Sequence, residues 1–150
     1  MTSLPQGNIW LIVGGCLSAA ASLLHLGCII GGPDWYRFFG AGERVAQAAA
    51  RGSWVPAAMT LGIATVLAIW AAYAFSGAGI IARLPLLRTG LIVISAVYIL
   101  RGLVLFFPSA FQRPDLSETF LRWSSAIVLA FGLVYAIGTW RSWNSLSGEA

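Results

Sequence analysis

The residues best suited to chemistry are one histidine, His25, and one arginine, Arg101, each set inside a long apolar stretch. An ionisable side chain at membrane depth is costly unless it is paired or hydrated, so it indicates a functional site. Arginine can hold an anionic group, and histidine can donate or accept a proton near neutral pH. Two structural alternatives stay open: Arg101 snorkels to the lipid headgroups, and His25 is neutral and bonded to a backbone carbonyl.

Helical spacing adds polar groups to the faces that carry these two residues. Ser18 and Ser22 precede His25 on one helical face, and Tyr98 precedes Arg101 by three positions on another. His25 and Arg101 are also expected at similar depths, because each lies near the exit of its apolar stretch. We therefore predict a hydrated or ligand-filled pocket lined by Ser22, His25, Tyr98 and Arg101.

The connection after the first apolar stretch, residues 34–54, supplies further candidates. It is too polar to span a membrane and too rich in aromatic residues and alanine for a free loop. We predict a short helix there, lying at the interface or as a lid on the bundle, with Glu43, Gln47 and Arg51 on one face. A helix-capping Asp34 and a solvated Glu43 face are the structural alternatives. The full set of predicted ligand-binding residues is His25, Asp34, Tyr36, Arg37, Glu43, Arg44, Tyr98 and Arg101.

Several other chemistries lack the residues they need. One histidine without a carboxylate cluster falls short of the three or more ligands of a zinc or di-iron site. The chain has no glycine-rich phosphate motif, no catalytic serine triad order and no Cys-x-x-Cys, since Cys16 and Cys28 lie far apart. It also lacks a basic stripe with interleaved aromatic residues. We predict no metal, no nucleic-acid partner and no resident cofactor other than a bound lipid or quinone.

The composition indicates that membrane-spanning helices position these residues. Of the 150 residues, 59% are hydrophobic and only 9% are charged, whereas a soluble domain carries roughly a quarter charged residues. Four apolar stretches are long enough to cross a bilayer. The sequence predicts an all-α fold with one domain, a four-transmembrane-helix bundle with both termini on one side. The predicted spans cover residues 9–30, 55–75, 86–107 and 120–140, and the interfacial segment covers 34–54.

Small residues recur every four positions in the first two spans, which predicts close packing between helices. They are Gly14, Ser18 and Ser22, followed by Thr60, Ala64, Ala68 and Ala72.

Alternation of four spans places polar residues unequally at the two membrane faces. The face with the long connection also receives Arg113, Asp115, Glu118 and Arg122, and the other face receives Arg83, Arg88, Arg141 and Glu149. The larger arginine count favours a cytoplasmic long connection. Pairing of those arginines with carboxylates in a functional site leaves the orientation open.

Four short-looped spans with an aromatic, arginine-bearing connection resemble a broad group of small bacterial inner-membrane proteins that includes the DoxX-like families. The resemblance covers the whole chain as a layout and rests on no motif, GPDWYRFFGAGER at 32–44 included. It implies a bacterial inner-membrane location and an association with quinones or respiratory enzymes. It assigns no catalytic residue.

Three functions fit these observations. The first is binding of a lipid-like or quinone-like molecule whose polar end lies near His25 and Arg101. The second is a membrane enzyme in which His25 transfers a proton, assisted by Tyr98, Asp34 or Glu43. The third is a structural subunit that assembles with a second copy or with another membrane protein. We predict binding, because one histidine and one arginine are few groups for catalysis.

Overall fold

The computed structural model describes residues 7–107, 110, 114 and 116–146, and within them the regular structure is entirely helical. Four helices are long and apolar enough to cross a membrane, which indicates an integral membrane protein. The predicted all-α, four-span fold is confirmed. The long helices are α1 (Ile9–Phe38), α3 (Val55–Gly77), α4 (Leu87–Gly102) and α5 (Glu118–Arg141), and the short ones are α2 (Glu43–Ala50) and α6 (Trp143–Leu146).

The first predicted span ends where α1 changes direction. Gly32 has φ 68° and ψ −150°, values outside the helical region, and a second helical segment continues beyond it to Phe38. Glycine adopts a positive φ at little cost, and Pro33 favours the first turn of the new segment because its missing N–H needs no partner there. The predicted boundary at residue 30 therefore marks a kink, and the helical chain extends past it.

The other predicted boundaries fall within a few residues of those observed. A 3-10 helix over Leu103–Phe106 follows α4 and accounts for the rest of the third predicted span. The predicted cap of α5 is confirmed, since Ser117 Oγ accepts from the backbone N–H of Phe120 at 3.1 Å. Pro56 occupies the first turn of α3, as predicted.

Helices α1 and α3 form one antiparallel hairpin. Ser22 of α1 donates to the Ala64 carbonyl of α3 at 2.7 Å. Earlier in α1, Gly15 lies against the Phe75 ring, which comes later in α3. The absence of a side chain at Gly15 lets the ring approach the α1 backbone.

Helices α4 and α5 form the second antiparallel hairpin. Gly102 lies directly on the backbone of Leu129, and Gly132 lies on the backbone of Ile99. Both glycines remove a Cβ that would hold the two helices apart.

The two hairpins meet through α1 against α5 and α3 against α4. Leu11 packs on Gly138, and Gly14 packs on the Tyr135 ring. Helices α1 and α4 therefore lie diagonally across the bundle. The main buried cluster, which includes Leu11, Leu91 and Tyr135, fills the space between the hairpins.

Small residues line part of these contacts. The ladder predicted in α1 is buried at all three positions: Gly14, Ser18 and Ser22. In α3 the predicted ladder is wrong beyond Ala64, because Ala68 is exposed and Ala72 is only half-buried. Four-residue steps rotate about 40° around a helix, so an unbroken ladder turns away from its neighbour. The buried line of α3 runs through Thr60, Ala64, Leu67, Ala71 and Ala74.

The two ends of the bundle differ in construction. At one end, here called the terminal end, Asn8 Nδ2 donates to the Gly138 carbonyl at 2.7 Å and to Ser142 Oγ at 2.6 Å. These bonds join the start of α1 to the end of α5. The opposite end, here called the α2 end, carries α2 and the kinked part of α1. The polar face predicted for α2 is observed, because Glu43, Gln47 and Arg51 are all exposed.

Candidate functional site

Three hydroxyl groups form a buried chain between the hairpins. Ser18 Oγ lies 2.8 Å from the hydroxyls of both Tyr98 and Tyr135, and the Tyr135 hydroxyl lies 3.1 Å from the Trp70 carbonyl. A carbonyl can only accept, so Tyr135 donates to Trp70. Ser18 then donates to Tyr135, and Tyr98 donates to Ser18. Each hydroxyl donates once, and each of the four long helices contributes one group.

The predicted ligand residue Tyr98 lies in this packed centre. Its ring meets Trp70 edge-on at 4.8 Å between centroids and contacts Phe131 and Tyr135 at 5.6 and 5.5 Å. Aromatic rings therefore fill the space around it, and its hydroxyl points to Ser18. The structure brings Tyr98 together with Ser18 and does not bond it to His25 or Arg101.

His25 is half-buried and forms a bond within its own helix. Its Nδ1 lies 2.7 Å from the Ala21 carbonyl, one turn earlier. Because a carbonyl only accepts, Nδ1 carries a proton, and in the neutral ring Nε2 keeps a lone pair. This is the backbone bond expected from the structural alternative for this histidine. Nε2 is left as the atom that could accept from a ligand.

Arg101 extends toward the α2 end of the bundle. Its Nη1 donates to Ser125 Oγ at 2.9 Å, and Ser125 has no exposed surface. Since neighbouring Gly102 packs on Leu129, the guanidinium reaches about one turn beyond its own backbone. Arg101 therefore points in the direction expected of an arginine that snorkels to the lipid headgroups. No carboxylate within residues 7–107 and 116–146 pairs with Arg101, and four of its five N–H groups make no bond there.

His25 and the Arg101 guanidinium lie in one layer of the bundle. Leu11 packs on Gly138 and Gly14 on Tyr135, so the antiparallel register places His25 opposite Ser124. Arg101 reaches the adjacent Ser125. The two predicted partners thus share a depth, but their hydrogen bonds run to different helices.

An open groove on the surface of the second hairpin is lined by residues that are close in sequence to Arg101 and Ser125. It has a volume of about 300 Å³ and is lined by Leu105, Arg122, Trp123 and Ala126. Leu105 follows Arg101 by four residues, and Ala126 is next to Ser125. Trp123 is 70% exposed, as expected for an aromatic ring near the headgroup level. The groove therefore combines an apolar floor with one lining cation, Arg122.

Arg37 joins both carboxylates of the connecting segment. It donates to Asp34 at 3.0 Å and to the two oxygens of Glu43 at 3.0 and 3.1 Å. The hydrogen bond from Arg37, together with its charge, lowers the pKa of Glu43 below its ordinary value. The structure thus brings Asp34, Arg37 and Glu43 together, whereas Arg44 is exposed and forms none of these bonds.

Tyr36 is the predicted ligand residue with the least usual environment. It is only 3% exposed, and its hydroxyl has no hydrogen-bond partner among the described residues. A buried hydroxyl without a partner costs about 1–3 kcal/mol. It packs with Cys28 and Ala46 beneath α2.

Ser125, Tyr135 and Trp123 were not among the residues that the sequence predicted for the site. Ser125 and Tyr135 were visible as polar groups inside an apolar span, but nothing in the sequence indicated which helix they face. Arg113, Asp115 and Glu149, which the sequence assigned to the two faces, lie outside the described residues. The other exposed ion pair described, between Arg122 and Glu118 at 2.7 Å, links residues one turn apart in α5.

The chain matches no known protein family, no curated protein and no solved structure. Its resemblance to the DoxX-like families stays one of helix layout, and any function rests on the residues of the chain itself.

Proposed function

We propose that this membrane protein binds a lipid-like or quinone-like amphipathic molecule in the groove beside Arg101. The observation that carries the proposal is the position and bonding of the Arg101 guanidinium. It sits at the edge of an apolar bundle. Among the described residues it makes one hydrogen bond, to Ser125, and has no carboxylate partner. A charge in that position is stabilised by an oxygen-bearing group from the membrane.

The groove suits the two parts of such a molecule. A planar guanidinium binds phosphate or carboxylate oxygens through paired N–H groups, and it also donates to a carbonyl. Leu105 and Ala126 provide an apolar floor for the body of the ligand, and the exposed Trp123 ring lies at the rim. Arg122 supplies a second cation, although Glu118 already accepts two of its hydrogen bonds.

We also propose a bacterial inner-membrane location with both termini on one side. The bonds from Asn8 to Gly138 and Ser142, which bring the start of α1 beside the end of α5, support the placement of the termini. Reporter fusions at each terminus test it, since both should report the same compartment. Opposite reports would contradict it.

The binding proposal is tested by replacing Arg101 and measuring bound molecules. The parent chain and the Arg101→Gln variant are purified in mild detergent, and each co-purifying species is quantified by native mass spectrometry. Phosphatidylglycerol and a decyl-substituted benzoquinone are then added back separately, which distinguishes a lipid from a quinone ligand. We expect Arg101→Gln to weaken retention about tenfold, because a hydrogen bond to a charged group contributes about 1.5–3 kcal/mol.

Arg51→Gln is the matched control, because Arg51 is an exposed arginine at the same end of the bundle. It should retain ligand like the parent chain. Equal retention by the parent and Arg101→Gln, with both folded, would overturn the proposal.

A further inference from the structure

The Tyr36 hydroxyl is a polar group buried without a described partner. Phenylalanine would fill the same space without burying a hydroxyl. Tyr36 belongs to a buried hydrophobic cluster with Cys28 and Ala46. The partly buried residues that pack against this cluster are Ala41, Val45 and Ala49.

The helix that covers Tyr36 has the features of a movable lid. Gly40, Gly42 and Gly52 flank α2 with φ of 72°, 96° and 77°. Positive φ values of this size favour glycine, and here they mark sharp changes of chain direction at both ends of α2. Helix α2 has eight residues, and the side chains that it packs on Tyr36 are mostly alanine.

One exposed ion pair holds the start of α2 to the kinked part of α1. Glu43, the first residue of α2, accepts two hydrogen bonds from Arg37, which also bonds Asp34. Exposed ion pairs of this type are weak. Small side chains, glycines at both ends and a weak outer bond together favour opening of α2 without unfolding of the long helices.

We propose that α2 is a lid over a second binding site, in which the Tyr36 hydroxyl bonds a neutral oxygen atom of an apolar small molecule. The oxygen is that of a carbonyl, ester or alcohol, because a phenol both donates and accepts. The ligand is uncharged, because burying a charge against the hydrophobic cluster of Tyr36, Cys28 and Ala46 would be costly. This site is separate from the groove beside Arg101, so each proposal is tested by its own variant.

Cys28 provides a reporter of the site, because it packs on Tyr36 beneath the lid. Replacing the exposed Cys16 by serine leaves Cys28 as the single thiol of the chain. In that background, the rate of alkylation by N-ethylmaleimide measures access beneath α2. Glu43→Gln removes the ion pair and should speed alkylation of Cys28 about threefold or more. Glu118→Gln, which removes the exposed Arg122 pair in α5, should leave the rate unchanged.

The ligand chemistry is tested by protection of Cys28 in the Glu43→Gln variant. The probes are a decyl-substituted benzoquinone, methyl decanoate and decanol, with decane as the control that lacks oxygen. At least one oxygen-bearing probe should slow alkylation several-fold more than decane. Adding Tyr36→Phe should remove that difference while leaving the decane result unchanged.

Three results would overturn the proposal. An unchanged alkylation rate in Glu43→Gln excludes the lid. Equal protection by decane and by every oxygen-bearing probe excludes a polar site. If Tyr36→Phe keeps the protection of Cys28 by the oxygen-bearing probes, the Tyr36 hydroxyl does not bond the ligand and contacts only water or empty space. Thermal unfolding of Tyr36→Phe provides the folding check, since removal of an unpartnered hydroxyl should not lower the melting temperature.

Discussion

Arg101 donates a 2.9 Å hydrogen bond to Ser125, a side chain that is completely buried between the helices. A charged group on the surface of the second hairpin is thereby fixed by a neutral group within it. The bond sets the direction of the guanidinium along α5 and toward the α2 end. It leaves most of the donor groups of Arg101 directed away from the bundle core.

Ser125→Ala removes the group that orients Arg101 but keeps the charge. We expect a loss of stability of about 1 kcal/mol, and a loss of ligand retention smaller than that of Arg101→Gln. Thermal unfolding in detergent and native mass spectrometry measure the two effects. Retention that falls further in Ser125→Ala than in Arg101→Gln would show that Ser125 contacts the ligand directly.

The hydroxyl chain predicts an order of stabilities. Tyr98→Phe removes one donor at the start of the chain and should cost about 0.6 kcal/mol, the mean for such bonds in membranes. Ser18→Ala leaves the Tyr98 proton and a Tyr135 lone pair without their partner, so it should cost about 1–3 kcal/mol. The Ser18→Ala/Tyr98→Phe double variant should lose less than the sum of the two single changes.

Ser95→Ala serves as the control for this series. Ser95 is also buried, but it bonds the Leu91 carbonyl of its own helix at 2.7 Å. Its loss should leave the contact between hairpins intact. Additive effects of the Ser18 and Tyr98 changes would contradict the chain.

Two glycines in long helices should respond oppositely to alanine. A Cβ on Gly102 would lie 2.6 Å from Leu129 Cα and 2.7 Å from Leu129 N, so the backbones of α4 and α5 would have to separate. We expect Gly102→Ala to lower the free energy of unfolding by about 1–3 kcal/mol or more, which is the usual cost of overpacking. Gly62 has nothing within 4 Å of an added Cβ. Gly62→Ala should be neutral or stabilising by up to about 1 kcal/mol. Thermal unfolding of both variants provides the comparison.

The Arg37–Glu43 pair should make the stability of α2 depend on pH. The pKa of Glu43 is lowered in the folded chain by its hydrogen bonds and charge interaction with Arg37. A lowered carboxyl pKa adds stability that is complete above the ordinary value near 4.5 and is lost as the pH falls through the lowered value. The melting-temperature difference between the parent chain and Glu43→Gln should therefore disappear at low pH. A difference that does not change as the pH falls below 4.5 would contradict the pairing.

Hydropathy, together with the residues that begin, end or break helices, was sufficient to predict the fold. Span length depends only on composition, and Ser117, Pro56 and the Gly32–Pro33 break act locally, so each can be recognised from neighbouring residues. The order of helices around the bundle depends on contacts between distant segments. For that reason the spacing predicted a shared helical face for Tyr98 and Arg101, whereas the structure buries Tyr98 against Ser18 and leaves Arg101 exposed beside Ser125.

Depth could be predicted to within about one turn, because it follows from counting residues along a helix. The Arg101 guanidinium reaches the layer of His25 by extending about one turn beyond its own backbone. The direction of each side chain could not be predicted, because it depends on the acceptors supplied by neighbouring turns and helices. His25 bonds the Ala21 carbonyl, one turn earlier in its own helix. The Arg101 guanidinium bonds Ser125 of α5, a helix that the sequence did not connect with Arg101.

The hydrogen bonds from Tyr98 through Ser18 and Tyr135 to Trp70 have one direction, which determines how the hairpins align. Apolar surfaces in a bilayer gain little from one mutual alignment over another, because acyl chains solvate them equally well. Sliding one hairpin by a single turn, about 5.4 Å, would separate every donor from its acceptor. Three hydroxyl protons, together with the bonds from Asn8 to Gly138 and Ser142, therefore select one registry for the bundle.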